Sequence, residues 1–467
     1  MVDPTPSGAV QILVDRALDR VAGGRPIPGN QVSLLFDGPQ IYPAVLERIA
    51  RAREWVHFDN YIFRDDATGR RFAEALCDRA RDGIRVRVLA DWFGCLATSR
   101  RFWNRMREAG IEVRLFGLPD LVRPFRNFTR DHRKLVVVDG RTAVTGGFCI
   151  GDEWSGDEQK GRQPWRDTGV AIDGPAAAAL DQAFAGVWNR IGSPLDVNEL
   201  AGDVPAHGEA EVRVVAGEPG GIRASRLTEL LLVGSAERVW LTDAYLVAPR
   251  GLYRSLLDAA SEGVDVRLLV PGTSDLPHVR NLTRTGYREL LDAGVRIFEW
   301  RGPMLHAKSI VADGRWVRIG STNMNVSSLI ANYELDVVID DQELALQMEA
   351  QFRRDLDQSV EVWRKPARIF RDSLVFQPSG ARSSARHWTM RERRRRTVVA
   401  LRAVVGGSQR ALFLQRSLGL TLLAALLLFF PTWMGIIFGS LTLYFAITSL
   451  LDMLQRWRTS GSDEPGD

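Results

Sequence analysis

His132-Arg-Lys134-Leu-Val-Val-Val-Asp139, followed by Gly146-Gly147, returns 174 residues later as His306-Ala-Lys308-Ser-Ile-Val-Ala-Asp313, followed by Gly320-Ser321-Thr-Asn323. His, Lys, Asp and the first Gly keep their offsets in both copies. In a β-strand residues i and i+2 project from one face, so each His–Lys pair points together, and the apolar residues that follow enter a buried sheet. The chain has six histidines and only four lysines among its 61 basic residues, yet two of those lysines sit two places after a histidine. A compact ammonium on a flexible stem, kept twice where arginine is otherwise preferred, suits one phosphate oxygen at close quarters.

The surrounding chain is also written twice, with a period near 180 residues. EWVHFDNY (Glu54–Tyr61) lines up with RVWLTDAY (Arg238–Tyr245), each a strand pattern after an apolar-periodic helix, Tyr42–Arg53 and Ala224–Ala236. DGIRVRVL (Asp82–Leu89) matches EGVDVRLL (Glu262–Leu269), and EAGIEVR (Glu108–Arg114) matches DAGVRIF (Asp292–Phe298). Each pair is a helix ending at Gly and a short strand after it, which predicts an α/β sandwich in each half with crossovers burying the sheet. The loop Gly192–His207 marks the boundary between halves.

With 467 residues, 45% apolar and 25% charged, the chain is globular, long enough for two or three domains, and neither disordered nor fibrous. A net charge of +4 is too mild to imply nucleic-acid binding by itself. Cys77, Cys95 and Cys149 offer neither a disulfide framework nor the CxxC spacing of a zinc site. Asp3, Asp15 and Arg16 interrupt the N-terminus, so it does not read as a signal peptide. Val10, Leu13, Val14, Ala17, Leu18 and Val21 fall at helical spacing, predicting a short amphipathic helix that caps the first domain or lies on a membrane surface.

Ser417 to Leu451 carries no charged side chain. A helix of that length would reach about 50 Å, too long for one untilted crossing of a ~30 Å hydrocarbon core. Pro431 splits the run, leaving either one span formed by its second piece or a helical hairpin. Arg391, Arg393, Arg394, Arg395, Arg396, Arg402, Arg410 and Arg416 precede it and Arg456 and Arg458 follow, so the positive-inside rule favours the hairpin. The arginine run beside it reads as a strip on anionic lipid, at about 1 kcal/mol per basic residue.

In duplicate, the pattern HxK(x)4D(x)6G[GS] resembles the phospholipase D superfamily. LLFDGPQIYPAVLERI, RVRVLADWFG, GFCIGDEW, PWRDTGVAIDGPA, LLDAGVRIFEW and NYELDVVI resemble its bacterial cardiolipin synthase branch, over Asn30 to Arg364. The resemblance implies two duplicated α/β/α sandwich halves with mixed sheets around a pseudo-two-fold axis, one site at their junction, and phosphodiester chemistry without a metal or other cofactor. The expected layout is an N-terminal helix (1–29), two halves (30–195 and 208–364), a basic linker (365–410), a hydrophobic membrane hairpin or span (411–455) and a polar tail (456–467).

A histidine can hold phosphorus as a phosphohistidine, splitting one difficult displacement into two steps, while a second moves the protons. The resemblance makes His132 the nucleophile and His306 the acid/base, or the reverse. Lys134 and Lys308, with Asn323 and Ser321, would stabilise the non-bridging oxygens, and the backbone at Gly147 would face substrate. Family position points to Asp167 and Glu334 as the carboxylates that fix the histidine tautomers. Asp139 and Asp313 are expected to hold their loops rather than touch substrate. Cys149 stands where many relatives carry Asn, removing one amide donor from the first half. Arg123–Arg130 reads as a basic loop or a guide for an anionic headgroup, and His57, His207, His278 and His387 as ordinary residues.

Four functions fit: phosphatidyl transfer between two phosphatidylglycerol molecules, lipid hydrolysis, nuclease action, or a non-catalytic scaffold. The scaffold gives no reason to keep two His–Lys pairs, and the hydrophobic tail favours lipid over nucleic acid. Transfer over hydrolysis rests on the resemblance. The expected partners are an anionic phospholipid, phosphatidylglycerol, and the bilayer, with no nucleic acid and no inferable protein partner. The expected place is the cell membrane, with the halves on the cytoplasmic side.

Overall fold

The computed structural model describes residues 6–120, 129–157, 160–365 and 373–378. After α1 (Pro6–Ala22), the first half runs β1 (Ile27–Phe36), α2 (Asp37–Ala50), β2 (Trp55–Asn60), α3 (Ala67–Arg81), β3 (Arg85–Asp91), α4 (Arg100–Glu108), β4 (Glu112–Phe116), β5 (Lys134–Val138), β6 (Thr142–Gly146), α5 (Asp152–Ser155), β7 (Thr168–Asp173) and α6 (Pro175–Trp188). The second half runs β8 (Ala210–Gly217), α7 (Arg223–Gly234), β9 (Arg238–Thr242), α8 (Arg250–Ser261), β10 (Asp265–Pro271), α9 (Pro277–Thr285), α10 (Tyr287–Asp292), β11 (Arg296–Trp300), β12 (Ser309–Ala312), β13 (Trp316–Gly320), β14 (Glu334–Asp340) and α11 (Gln342–Asp357). Two further strands, β15 (Ser359–Lys365) and β16 (Ser373–Pro378), follow.

The aligned segments take matching forms because their local signals agree. Asp66 caps α3 by accepting from Gly69 N at 2.8 Å. Gly83 and Gly263, at φ 85° and 88°, take the left-handed conformation in which α3 and α8 stop and the chain turns into β3 and β10. In each half three strands of the mixed sheet pair in parallel, each joined to the next by a helical crossover, β2 with β3 with β4, and β9 with β10 with β11.

The two halves do not keep separate sheets. Antiparallel pairing of β1 with β8 joins them into one sheet of 16 strands, ordered β16-β15-β11-β10-β9-β12-β13-β14-β8-β1-β7-β6-β5-β2-β3-β4. Strand alternation sorts the core. Val136 and Val138 of β5 pack with Ile41 of α2, Phe72 of α3 and Met106 of α4, while Leu135 and Val137 face the other way. That second layer is shared: Val170 and Ile172 meet Val317, Ile319, Leu335 and Val337, with Phe184 and Trp188 of α6 and Phe352 of α11. Burying apolar surface from both halves in one cluster is what holds the junction together.

Three expectations are corrected. The N-terminal helix packs on α7 and β8, so it covers the second half rather than the first, with Asp19 accepting from Arg213 Nε at 3.1 Å. Part of the expected linker is a strand, β16, because Ser-Leu-Val-Phe has the β-branched and aromatic content to pair along the free edge of β15. β1 begins at Ile27, ahead of the expected domain start. Among the described residues no helix is long and apolar enough to cross a membrane. The hydrophobic run Ser417–Leu451 and its arginines lie outside the described residues, as do His387 and residues 121–128.

Candidate active site

Each His–Lys pair enters its strand from a short segment bonded to the opposite half. His132 N donates to the Tyr333 carbonyl at 3.0 Å, and His306 N donates to the Arg166 carbonyl at 2.7 Å. The residue after each of those carbonyls is an acid, and it turns back on the same histidine. Glu334 Oε2 lies 3.0 Å from His132 Nδ1, and Asp167 Oδ2 lies 2.8 Å from His306 Nδ1. The carboxylates are therefore exchanged: each histidine is oriented by the other half. With Nδ1–H given to a carboxylate, Nε2 keeps its lone pair for chemistry.

Further contacts hold the acids. The Ser321 hydroxyl donates to Glu334 Oε2 and accepts from Leu335 N at 2.9 Å. Ser321, expected at the substrate phosphate, thus has its hydroxyl committed to the acid behind His132. Trp154 Nε1 donates to Asp167 Oδ2 at 3.1 Å, and Thr168 N donates to Oδ1 at 2.8 Å. A Cβ at Gly147 would stand 2.2 Å from Asp167 Oδ1, which explains why this position, the counterpart of Ser321, has no side chain. Arg166, buried and held by Asp355 through Nε at 3.0 Å and Nη2 at 2.8 Å, anchors the segment bearing Asp167.

Both ammonium groups are buried, and each donates to the carbonyl of its own histidine, Lys134 to His132 and Lys308 to His306. Lys308 Nζ is also 3.0 Å from His306 Nδ1. Burial lowers His306 to about 4, with Lys308 and Lys134 adding to the fall and Asp167 opposing it. His132 lies below its ordinary value for the same reason, with Glu334 opposing burial and Lys134 reinforcing it. Burial also brings Lys308 down to about 8 against the pull of Asp167. Burial pushes the two acids up, but the facing histidines and lysines outweigh it and hold both Asp167 and Glu334 below the usual carboxylate range. Both imidazoles are therefore neutral near pH 7, beside two buried ammonium groups and the two carboxylates that face them.

Aromatic rings complete the walls. Tyr61 stands edge-on to His132 at 4.7 Å between centroids, and Tyr245 holds the same place beside His306 at 6.0 Å. They occupy the last positions of the aligned EWVHFDNY and RVWLTDAY segments, so the repeat itself carried the signal. Trp154 and Trp165 lie 5.3 and 5.8 Å from His306. Nothing in the repeat pointed to these two, which stand within GFCIGDEW and PWRDT.

The motif aspartates do different work. Asp139 and Asp313 sit at φ 54° and 50°, each opening an Asp–Gly hairpin turn. The Asp139 carboxylate accepts from Arg53, Glu54 and Trp55 N, and that of Asp313 from Ala236, Glu237 and Arg238 N, at 2.7–2.9 Å. Each pins its hairpin to the start of a neighbouring strand. Asn323 is buried, with Nδ2 3.4 Å from Ser328 Oγ and Oδ1 unpartnered among the described residues. Cys149, its counterpart, is buried, and burial pushes its thiol up, away from thiolate chemistry. His57 is an interior residue, with Nδ1 2.6 Å from Asp181 and its ring stacked on Phe184.

The profile of the family described as "Cardiolipin synthase, PLD-like domain" matches residues 45–188 and 231–356, which brackets both motifs. Cardiolipin synthase A of Pseudomonas aeruginosa is 33% identical over 349 residues, covering 74% of this chain and 71% of that protein. Cardiolipin synthase 1 of Bacillus anthracis is 31% identical over 362 residues, covering 74% and 70%. Among solved structures, phosphatidylserine synthase of Haemophilus influenzae superposes with a TM-score of 0.59 at 15% identity, over 74% of this chain and 91% of that one, a likeness of fold. The duplicated motif, the exchanged carboxylates and these matches agree: the chain belongs to the cardiolipin synthase branch of the phospholipase D superfamily.

Proposed function

We propose that the chain is a membrane-associated phosphatidyltransferase that moves a phosphatidyl group from one phosphatidylglycerol to the hydroxyl of another and releases glycerol. The observation that carries this reading is the buried pair of imidazoles, each with Nδ1 on a carboxylate, set between two ammonium groups. One imidazole can take phosphorus while the other handles protons.

His132 Nε2 attacks phosphorus as the bond to the glycerol oxygen breaks, and His306 gives its proton to that oxygen. The second phosphatidylglycerol then enters, and His306 removes the proton of its hydroxyl. That oxygen attacks phosphorus, the P–N bond to His132 breaks, and His306 is again protonated. Burial, with Lys308 and Lys134 adding to it, holds His306 low, and the incoming phosphodiester anion supports this cycle because its charge offsets the lysines' share. Lys134, Lys308 and Asn323 face the charge that builds on the non-bridging oxygens. The uncharged run Ser417–Leu451, entering and leaving the membrane as a hairpin, would keep the halves on the cytoplasmic face.

The test uses the full-length protein in mixed micelles of phosphatidylglycerol, with lipid products followed by mass spectrometry and His306→Ala as control. Cardiolipin with an equal amount of free glycerol is the expected result. Phosphatidic acid alone would replace transfer with hydrolysis, and no product from the wild type would refute the substrate. A phosphorus-labelled donor carrying p-nitrophenol in place of glycerol, a group that departs without a proton, should leave phosphorus on the His306→Ala protein and none on His132→Ala; the opposite pattern reverses the two roles.

A further inference from the structure

Exposed apolar side chains scattered singly are ordinary, whereas a cluster on one part of the surface needs a cause. Among the described residues, five large ones stand on segments that leave the site: Phe93 and Leu96 after β3, Leu276 and Leu282 after β10, and Val326 three residues beyond Asn323. Hydrogen bonds tie these segments to the catalytic groups. Phe93 N and Asp131 N both donate to the Asp91 carboxylate, next to His132. The Tyr245 hydroxyl, whose ring flanks His306, donates to Asp275 beside Leu276 at 2.9 Å. Thr283 Oγ1, beside Leu282, donates to the Leu246 carbonyl at 2.7 Å. Helix α9, which carries Leu282, buries none of its nine residues.

The charge on these segments is one-sided. Residues 92–107 hold four arginines and no acid, 276–288 hold three arginines and no acid, and 322–333 carry no charge at all. Arg100 and Arg101 are exposed. Asp275 borders Leu276 and is bonded to the Tyr245 hydroxyl, while Arg105 pairs with Glu74 and Arg284 with Glu299. Leucine and phenylalanine tips on separate segments, with Arg100 and Arg101 exposed behind them, match an anionic lipid interface, where apolar groups enter the acyl boundary and cations meet headgroups.

We propose that this rim is a bilayer-docking surface: Phe93, Leu96, Leu276, Leu282 and Val326 enter an anionic phospholipid leaflet and set the mouth of the site at headgroup depth. The inference rests on the lipid reading above and adds a contact independent of the C-terminal hydrophobic run. A donor would then reach His132 without leaving the leaflet.

The test compares the full-length protein with its Leu96→Ser/Leu276→Ser/Leu282→Ser variant on two forms of one substrate. One is long-chain phosphatidylglycerol in vesicles; the other is dihexanoyl-phosphatidylglycerol as monomers. The C-terminal run is identical in both proteins, so the comparison reads the rim. The vesicle rate should fall about tenfold with the monomer rate unchanged, as expected when roughly 1.4 kcal/mol of apolar burial is lost. Equal loss on both substrates, or no loss on vesicles, overturns the proposal. A change of oligomeric mass in light scattering would make the rim a protein interface and also overturns it. A wild type inactive on both forms would refute the phosphatidyl-transfer reading itself, and docking with it.

Discussion

Exchanged carboxylates make a test that one half acting alone cannot pass. Asp167→Asn keeps the shape at His306 Nδ1 but removes the charge lying 2.8 Å away. With charge centres about 4 Å apart at an effective dielectric of about 20, the imidazolium loses about 4 kcal/mol. That predicts a fall of about a thousandfold in kcat, with KM little changed. Glu334→Gln should cost a similar amount, acting through His132, the nucleophile of the proposed cycle. The two variants separate when the donor carries p-nitrophenol in place of glycerol, a group that departs without a proton. A stopped-flow burst of nitrophenol should then be restored in Asp167→Asn, where only proton delivery is impaired, and stay slow in Glu334→Gln. If the burst returns in Glu334→Gln instead, the pairing of each acid with the opposite histidine's chemistry is wrong. A loss under tenfold in both variants would refute the electrostatic argument altogether.

Gly147→Ala places a methyl where the Asp167 carboxylate lies, so the acid must shift. Activity should drop about a hundredfold while the melting temperature stays near the wild type, and an active variant would show that the carboxylate position does not matter. Asp313→Ala removes the acceptor of three backbone N–H groups at a left-handed residue and should destabilise folding by about 2 kcal/mol in urea titration. Its kcat per folded molecule should be unchanged; a catalytic loss without destabilisation would put Asp313 in the chemistry. Binding of sulfate, which carries no titrating proton at pH 6, should take up a proton, because the anion raises His306 from about 4. Calorimetry in two buffers of different ionisation enthalpy reads the sign, and proton release on binding contradicts it.

Much of the fold was legible because its signals are local. Helices that stop at Gly83 and Gly263, Asp–Gly turns at Asp139 and Asp313, and two-residue alternation along β5 follow from backbone preference and side-chain direction. Duplication then converted each local reading into a pair and exposed His132, Lys134, His306 and Lys308. The merging of two sheets was hidden, since pairing of β1 with β8 depends on edges far apart in the chain. The placement of α1 was hidden for the same reason: its apolar stripe fits any apolar face, and sequence adjacency favoured the wrong half.

At the site, residue order is enough to say which groups are present: two imidazoles, two ammonium groups, one amide and two acids at family positions. Tertiary structure alone decided how they are partnered. Asp167 lies 35 residues after His132 and Glu334 lies 28 after His306, so separation along the chain suggests that each serves its own half. The opposite holds, because bonds from His132 N to the Tyr333 carbonyl and from His306 N to the Arg166 carbonyl lay each histidine beside the other half's acid. Folding also committed Ser321 to Glu334 and enclosed His306 between Trp154 and Trp165. Such choices depend on distance through space, which residue order does not encode until both halves have closed on their shared core.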